Sequence, residues 1–187
     1  MMQTMTTTTA TLEAFRTSGS DRDRDALLRA LVAAEGRAVR RLCRTHERDP
    51  SRQEELEQDV WVAVWRALPQ FRGDASLRTF VFRVAHNVAA RHVSVAVRQV
   101  DEASERVAEP TAETTDPGQR MDRRRQRAEL ERAVAALPLV DRQLVSSWLE
   151  GMSTAEIAAI AGMTVTNTTT RLSRARRRLM ASLGRTT

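Results

Sequence analysis

Gly151-Met152-Ser153-Thr154-Ala155-Glu156-Ile157-Ala158-Ala159-Ile160-Ala161-Gly162-Met163, a Thr-rich run over Thr164–Thr170, and then Arg171-Leu172-Ser173-Arg174-Ala175-Arg176-Arg177-Arg178-Leu179 decide the reading of this chain. Ser153 followed three residues later by Glu156 is a capping box, so a helix starts there. Gly162 is placed to end it in the left-handed conformation. A last helix runs from near Val165 to about Leu183, with Thr168, Leu172, Ala175, Leu179 and Leu183 on one stripe. Two helices joined by a tight turn, the second strongly basic, form a helix-turn-helix that lays its second helix in the major groove.

On that last helix, Arg174 and Arg178 stand at i and i+4, with Arg171 one turn earlier, on a face opposite Leu172 and Leu179. Such a face meets phosphates, which set register and carry little sequence information. Base reading falls to the first turns, where Asn167, Thr169, Thr170, Ser173 and Arg174 are the candidates. Arg takes guanine bidentately and Asn does the same for adenine. Two plainer readings compete. Arg176 and Arg177 read equally as a solvated charge run, and Thr164 or Thr166 as a helix cap.

Working outward, composition agrees with a DNA-facing helical protein. The chain has 187 residues, 30 basic against 24 acidic, and a net charge of +6 that favours an anionic partner. Every basic residue is Arg. With 7 Gly, 5 Pro and 4% aromatics, the expected class is all-α. Cys43 is the single cysteine, which excludes an internal disulfide; with His46 it offers two metal ligands, too few for a structural zinc. No metal or cofactor is expected. The three His residues lack a nucleophile and an orienting carboxylate at recognisable spacing, and no Gly-rich phosphate loop is present, so the chain does not read as an enzyme. No apolar run reaches membrane-spanning length, and residues 1–20 are Thr-rich without a signal-peptide core. A disordered N-terminal tail over 1–20 and a cytoplasmic location are the expectations.

The rest of the chain divides in two. Residues 98–120 carry Asp101, Glu102, Glu105, Glu109, Glu113 and Asp116, with Pro110, Pro117 and several Thr. Almost nothing there is apolar, so the segment reads as a flexible acidic linker. It separates a helical domain over 21–97 from the helix-turn-helix domain over 121–187. In the first, helices are expected over about Asp25–His46, Arg52–Leu68 (started by a Ser51/Glu54 capping box, ended by Pro69) and Ser76–Val97. In the second, Arg123–Leu137 and Asp141–Leu149 precede the motif already quoted.

Taken in order, these motifs resemble extracytoplasmic-function sigma factors, the small two-domain branch of the bacterial sigma-70 family. The second-domain pattern is matched by Gly151, Ser153, Glu156, Ile157, Ala158, Gly162, Arg171, Leu172, Arg174, Ala175 and Arg176. The first-domain pattern is echoed by Glu55-Leu56-Glu57-Gln58-Asp59-Val60, Trp65-Arg66-Ala67-Leu68, Phe71-Arg72-Gly73 and Arg83-Val84-Ala85-His86-Asn87-Val88-Ala89. The chain departs from the family at Thr166–Thr170, where G-T-V-K-S is usual.

The resemblance implies a factor that directs core RNA polymerase to promoters and helps open them. Arg171, Arg174, Arg178, Asn167, Thr169, Thr170 and Ser173 would meet the −35 element. Phe71, Arg83, His86, Asn87 and Arg91 would hold a flipped base of the −10 element. Glu55, Gln58 and Asp59 would grip a coiled coil of the polymerase. The implied partners are core polymerase, promoter DNA and an anti-sigma factor. Two other readings stand beside it: a stand-alone helix-turn-helix regulator whose first domain senses a ligand or dimerises, and a helical interaction module with no promoter function.

Overall fold

The computed structural model describes residues 2–102 and 119–184, with side chains over 8–95 and 125–184. Among the described residues every regular element is helical: α1 (Met2–Ser18), α2 (Asp21–His46), α3 (Pro50–Ala67), a short 3-10 turn (Leu68–Gln70), α4 (Leu77–Glu102), α5 (Gln119–Ala135), α6 (Leu139–Leu149), α7 (Thr154–Ala161) and α8 (Val165–Leu183). The all-α expectation holds. Residues 103–118 of the expected linker lie outside the described residues. Its two ends are helical, because α4 runs on to Glu102 and α5 begins at Gln119.

α2, α3 and α4 form the first lobe. Leu27, Leu31, Val39 and Leu42 of α2 meet Leu56, Val60 and Val64 of α3 and Val81, Phe82, Ala85 and Ala89 of α4, all buried. The 3.6-residue spacing of these positions puts them on one side of each helix. Each large apolar side chain so buried contributes about 1.5–3 kcal/mol. α3 begins two residues earlier than the capping-box reading: Asp49 is its N-cap, accepting from the Arg52 amide, with Pro50 at the first helical position. Cys43 is buried in this core, and burial pushes its thiol up to about 12, which makes it an inert packing residue.

The tail expected to be disordered is instead α1. Leu12 and Phe15 pack against the first-lobe core, and Gly19, with φ of 61°, turns the chain into α2. Thr-rich composition hid these two apolar anchors, which only gain a partner surface once α2 is folded.

α5 to α8 form the second lobe around Val134, Leu137, Leu144, Val145, Met152, Ile157, Ile160, Leu172, Ala175 and Leu179. The two lobes are packed together through α2 and α4 against α5, α6 and α7. Arg41 makes a bidentate ion pair with Glu150 (Nε–Oε1 2.6 Å), Arg78 donates to the Glu150 carbonyl (2.7 Å), and His86 is hydrogen-bonded to Ser147 (2.9 Å). The expectation of two lobes held only by a tether did not foresee these contacts, because each partner lies more than 60 residues away in sequence.

Candidate nucleic-acid interface

The C-terminal surface is built as its sequence demands. Ser153 and Glu156 form the reciprocal capping box of α7, and Gly162 ends it with φ of 64°, its amide donating to the Ala158 carbonyl. Thr164 caps α8 by accepting from the Asn167 amide. That decides between the two threonines offered as caps. Thr168, Leu172, Ala175 and Leu179 face inward, and Thr168 is buried with its hydroxyl donating to the Thr164 carbonyl (2.9 Å).

Asn167, Thr169, Thr170, Ser173 and Arg174 are exposed on the opposite side of α8. The Thr169 and Thr170 hydroxyls donate to the Val165 and Thr166 carbonyls, at 2.9 and 3.1 Å. Their protons are therefore committed to the helix. What they offer outward is a methyl group and a hydroxyl acceptor, the set that meets a thymine methyl or a base amino group.

The arginines separate into distinct environments. Arg171 and Arg178 both reach the buried carboxylate of Asp141 on α6, at 2.6 and 3.0 Å, and clamp α8 onto the lobe. Their charge is already partly balanced, a qualification to the phosphate role expected of them. Arg176 lies over the Trp148 ring at 4.2 Å rather than running free in solvent. Arg174 and Arg177 are exposed and make no ion pair among the described residues. Asp141, expected only as a helix start, is the anchor that sequence reading missed. An acidic residue 30 positions before its partner carries no local signal.

In the first lobe, Arg83, Asn87 and Arg91 are exposed along one stripe of α4 at i, i+4 and i+8. Phe71 is half-buried, its ring 5.0 Å from that of Phe80 on the same helix. His86 does not join them. It is fully buried beneath the second lobe, which corrects its placement on the exposed face. Burial and the neighbouring His46 ring at 6.0 Å lower its pKa to about 3, so it is neutral here. The i, i+3, i+4, i+8 spacing put His86 on one face with Arg83, Asn87 and Arg91; the partner lobe covers it instead.

Glu55, Gln58 and Asp59 are all exposed on α3. Glu55 and Asp59 line an open groove between α3 and α4 of about 720 Å³, together with Val62, Ala63, Val88 and Val95. Val62 and Val95 are 46% and 50% exposed. Arg52, Arg66, Arg91 and His92 line the same groove, so the two carboxylates and the uncovered valines sit in a surface of mixed charge. Among the described residues no group of three or more metal-ligating side chains gathers, and no helix is long and apolar enough to cross a membrane.

Comparison with known proteins follows the same division. The family model of sigma-70 region 2 matches residues 31–99, and that of sigma-70 region 4 matches residues 127–179. The RNA polymerase sigma factor CnrH of Cupriavidus metallidurans is 28% identical over 161 residues, spanning 82% of this chain and 84% of that protein. A structure of CnrH in complex with the cytosolic domain of CnrY superposes with a TM-score of 0.67 at 25% identity, covering 94% of this chain and 97% of that one. The sigma factor RpoE in complex with the anti-sigma factor NepR, from Bartonella quintana, shares the fold, with a TM-score of 0.63 at 22% identity over 82% of this chain and 94% of that one. Both regions are matched in the family's order, each on its own helical lobe, and the chain therefore belongs to the sigma-70 family, in its extracytoplasmic-function branch.

Proposed function

We propose that this protein is a dissociable initiation subunit that brings core RNA polymerase to promoter DNA and helps open it, without a catalytic step of its own. The observation that carries this reading is the pairing of two outward surfaces on separate lobes. One is the Asn167–Arg174 face of α8, polar and ending in an exposed cation. The other is the Arg83–Asn87–Arg91 stripe of α4 beside Phe71. α8 enters the major groove of the −35 element, with Arg174 and Asn167 reading bases and Arg171 and Arg178 adding attraction while they hold the helix in place. The α4 stripe takes the −10 strand, where the Asn87 amide matches a base's Watson–Crick edge and the two arginines meet phosphates. The exposed face of α3 that carries Glu55, Gln58 and Asp59 receives the polymerase. The place of action is the cytoplasm, and an anti-sigma factor is a further partner in this reading.

Geometry adds a condition. Elements 25 nucleotides apart are separated by roughly 85 Å of duplex at about 3.4 Å per step. A compact chain of this length has a radius of gyration of only about 16 Å. The packed lobes must part for both elements to be held at once, and the packed form is the one that waits. A stand-alone helix-turn-helix regulator is not favoured, because the first lobe carries a region of its own from the same family.

Transcription with purified core enzyme tests the proposal. Factor-dependent run-off transcripts are expected from a genomic promoter pool, with start sites sharing upstream elements. No transcript that depends on this protein would remove it. Asn87→Ala is expected to slow strand opening, read by permanganate reactivity, while leaving binding of a −35 duplex unchanged; equal loss of both counts against the α4 assignment.

A further inference from the structure

We propose that Arg16 is a positioning residue for the Phe71–Gly73 loop, and that α1 is a strap holding that loop against the strand-capturing face of α4. The proposal rests on the reading of the first lobe just given and deepens it. α1 is anchored by Leu12 and Phe15 on the first-lobe core, which fixes where its last turn ends. From that turn the Arg16 guanidinium donates to the Arg72 carbonyl at 2.8 Å, across 56 residues of sequence. It also lies over Gly73: a Cβ added there would come within 2.5 Å of Arg16 Nη2. Gly73 has a φ of 87°, so its backbone favours glycine, and the Arg16 guanidinium occupies the space beside it.

Among the described residues, this is the single hydrogen bond reaching residues 72–75 from outside the loop. On the other side the Phe71 amide donates to Leu68, at 3.0 Å, and the Phe71 ring rests on Phe80. Phe80, Arg83 and Asn87 stand at i, i+3 and i+7 and share a face of α4. The loop held by Arg16 thus abuts the start of the surface that takes the unpaired strand. Holding it still removes an ordering cost at the moment a base is captured.

The test is made on holoenzyme assembled from core polymerase and full-length protein, with a promoter fragment carrying each of the four bases at the captured position. Arg16→Ala is expected to slow opening about three- to tenfold, the scale of one charge-assisted hydrogen bond partly exposed to solvent. It should also narrow the discrimination among the four bases, which a merely structural role would leave intact. Arg16→Lys, which can still donate to the carbonyl, should recover part of both. Affinity for core enzyme and for the −35 duplex should not change. Unchanged opening and base discrimination in Arg16→Ala, with Asn87→Ala impaired in the same assay, would overturn the strap alone. Unimpaired Asn87→Ala would overturn the α4 reading on which it rests. Loss of core affinity in step with opening would also overturn the positioning role.

Discussion

Arg171 and Arg174 lie one turn apart on α8, and their sequence context hardly distinguishes them. Their partners do. Arg171 is tied to Asp141, which is 4% exposed, whereas Arg174 faces solvent. Arg171→Ala should lower stability by about 1–2 kcal/mol, since Asp141 loses one of two charged partners while remaining buried. Arg174→Ala should leave the unfolding midpoint unchanged but weaken promoter binding by about 1–3 kcal/mol and relax specificity at the base it reads, with the salt slope nearly unchanged. Urea unfolding together with a salt titration of DNA binding separates the two. The candidate base readers were legible because exposure follows from the helical stripe opposite Leu172 and Leu179. The clamp was not legible, because it joins two helices far apart in the chain.

At the scale of elements, local chemistry carried most of the information. The α7 cap is complete: the Ser153 hydroxyl accepts from the Glu156 amide at 3.3 Å, and the Glu156 carboxylate accepts from the Ser153 amide at 2.9 Å. Ser153→Ala is expected to cost about 1 kcal/mol in urea unfolding. Gly162→Ala should also destabilise, by about 1 kcal/mol, because an alanine must then hold a positive φ. The start of α3 shows the limit of such signals. Ser51 with Glu54 read as the start, but Asp49 is the cap, and the fixed φ of Pro50 suits it to the first helical position. α1 shows a different limit. Its threonines are poor helix formers, and it is held by the burial of Leu12 and Phe15 rather than by propensity.

At the scale of the whole molecule, the junction between the lobes gathers His86, His46, Ser147, Arg41, Arg78, Glu35 and Glu150. Burial lowers His46 to about 4 and His86 to about 3, with Arg142 and His92 also disfavouring charge on His46. In the unfolded chain both titrate near the ordinary value of 6.5, so below that pH the unfolded state binds more protons. Their contribution is complete above about 6.5 and is lost as pH falls toward the folded values, by up to about 1.4 kcal/mol per pH unit for each histidine. Glu35 acts in the opposite sense, since burial raises its carboxyl. Urea midpoints should therefore fall between pH 7 and pH 5, and His86→Gln should flatten that dependence. A slope unchanged in His86→Gln would remove His86 from the account. Glu150→Ala, which cuts the Arg41 pair, should loosen the lobes and raise the radius of gyration measured by small-angle scattering.

The approximate positions of α2 to α8, the capped turn before α8, the polar face of α8 and the family to which the two motif sets belong were determined by the sequence alone. Each depends on interactions between residues a few positions apart, and periodicity and capping chemistry report those directly. Tertiary structure alone decided that α1 folds onto the first lobe, that Asp141 clamps two of the arginines, and that His86 turns inward beneath Ser147. Those outcomes depend on which surfaces meet after the chain has come together, and the partners involved are separated by tens of residues that carry no local trace of the contact.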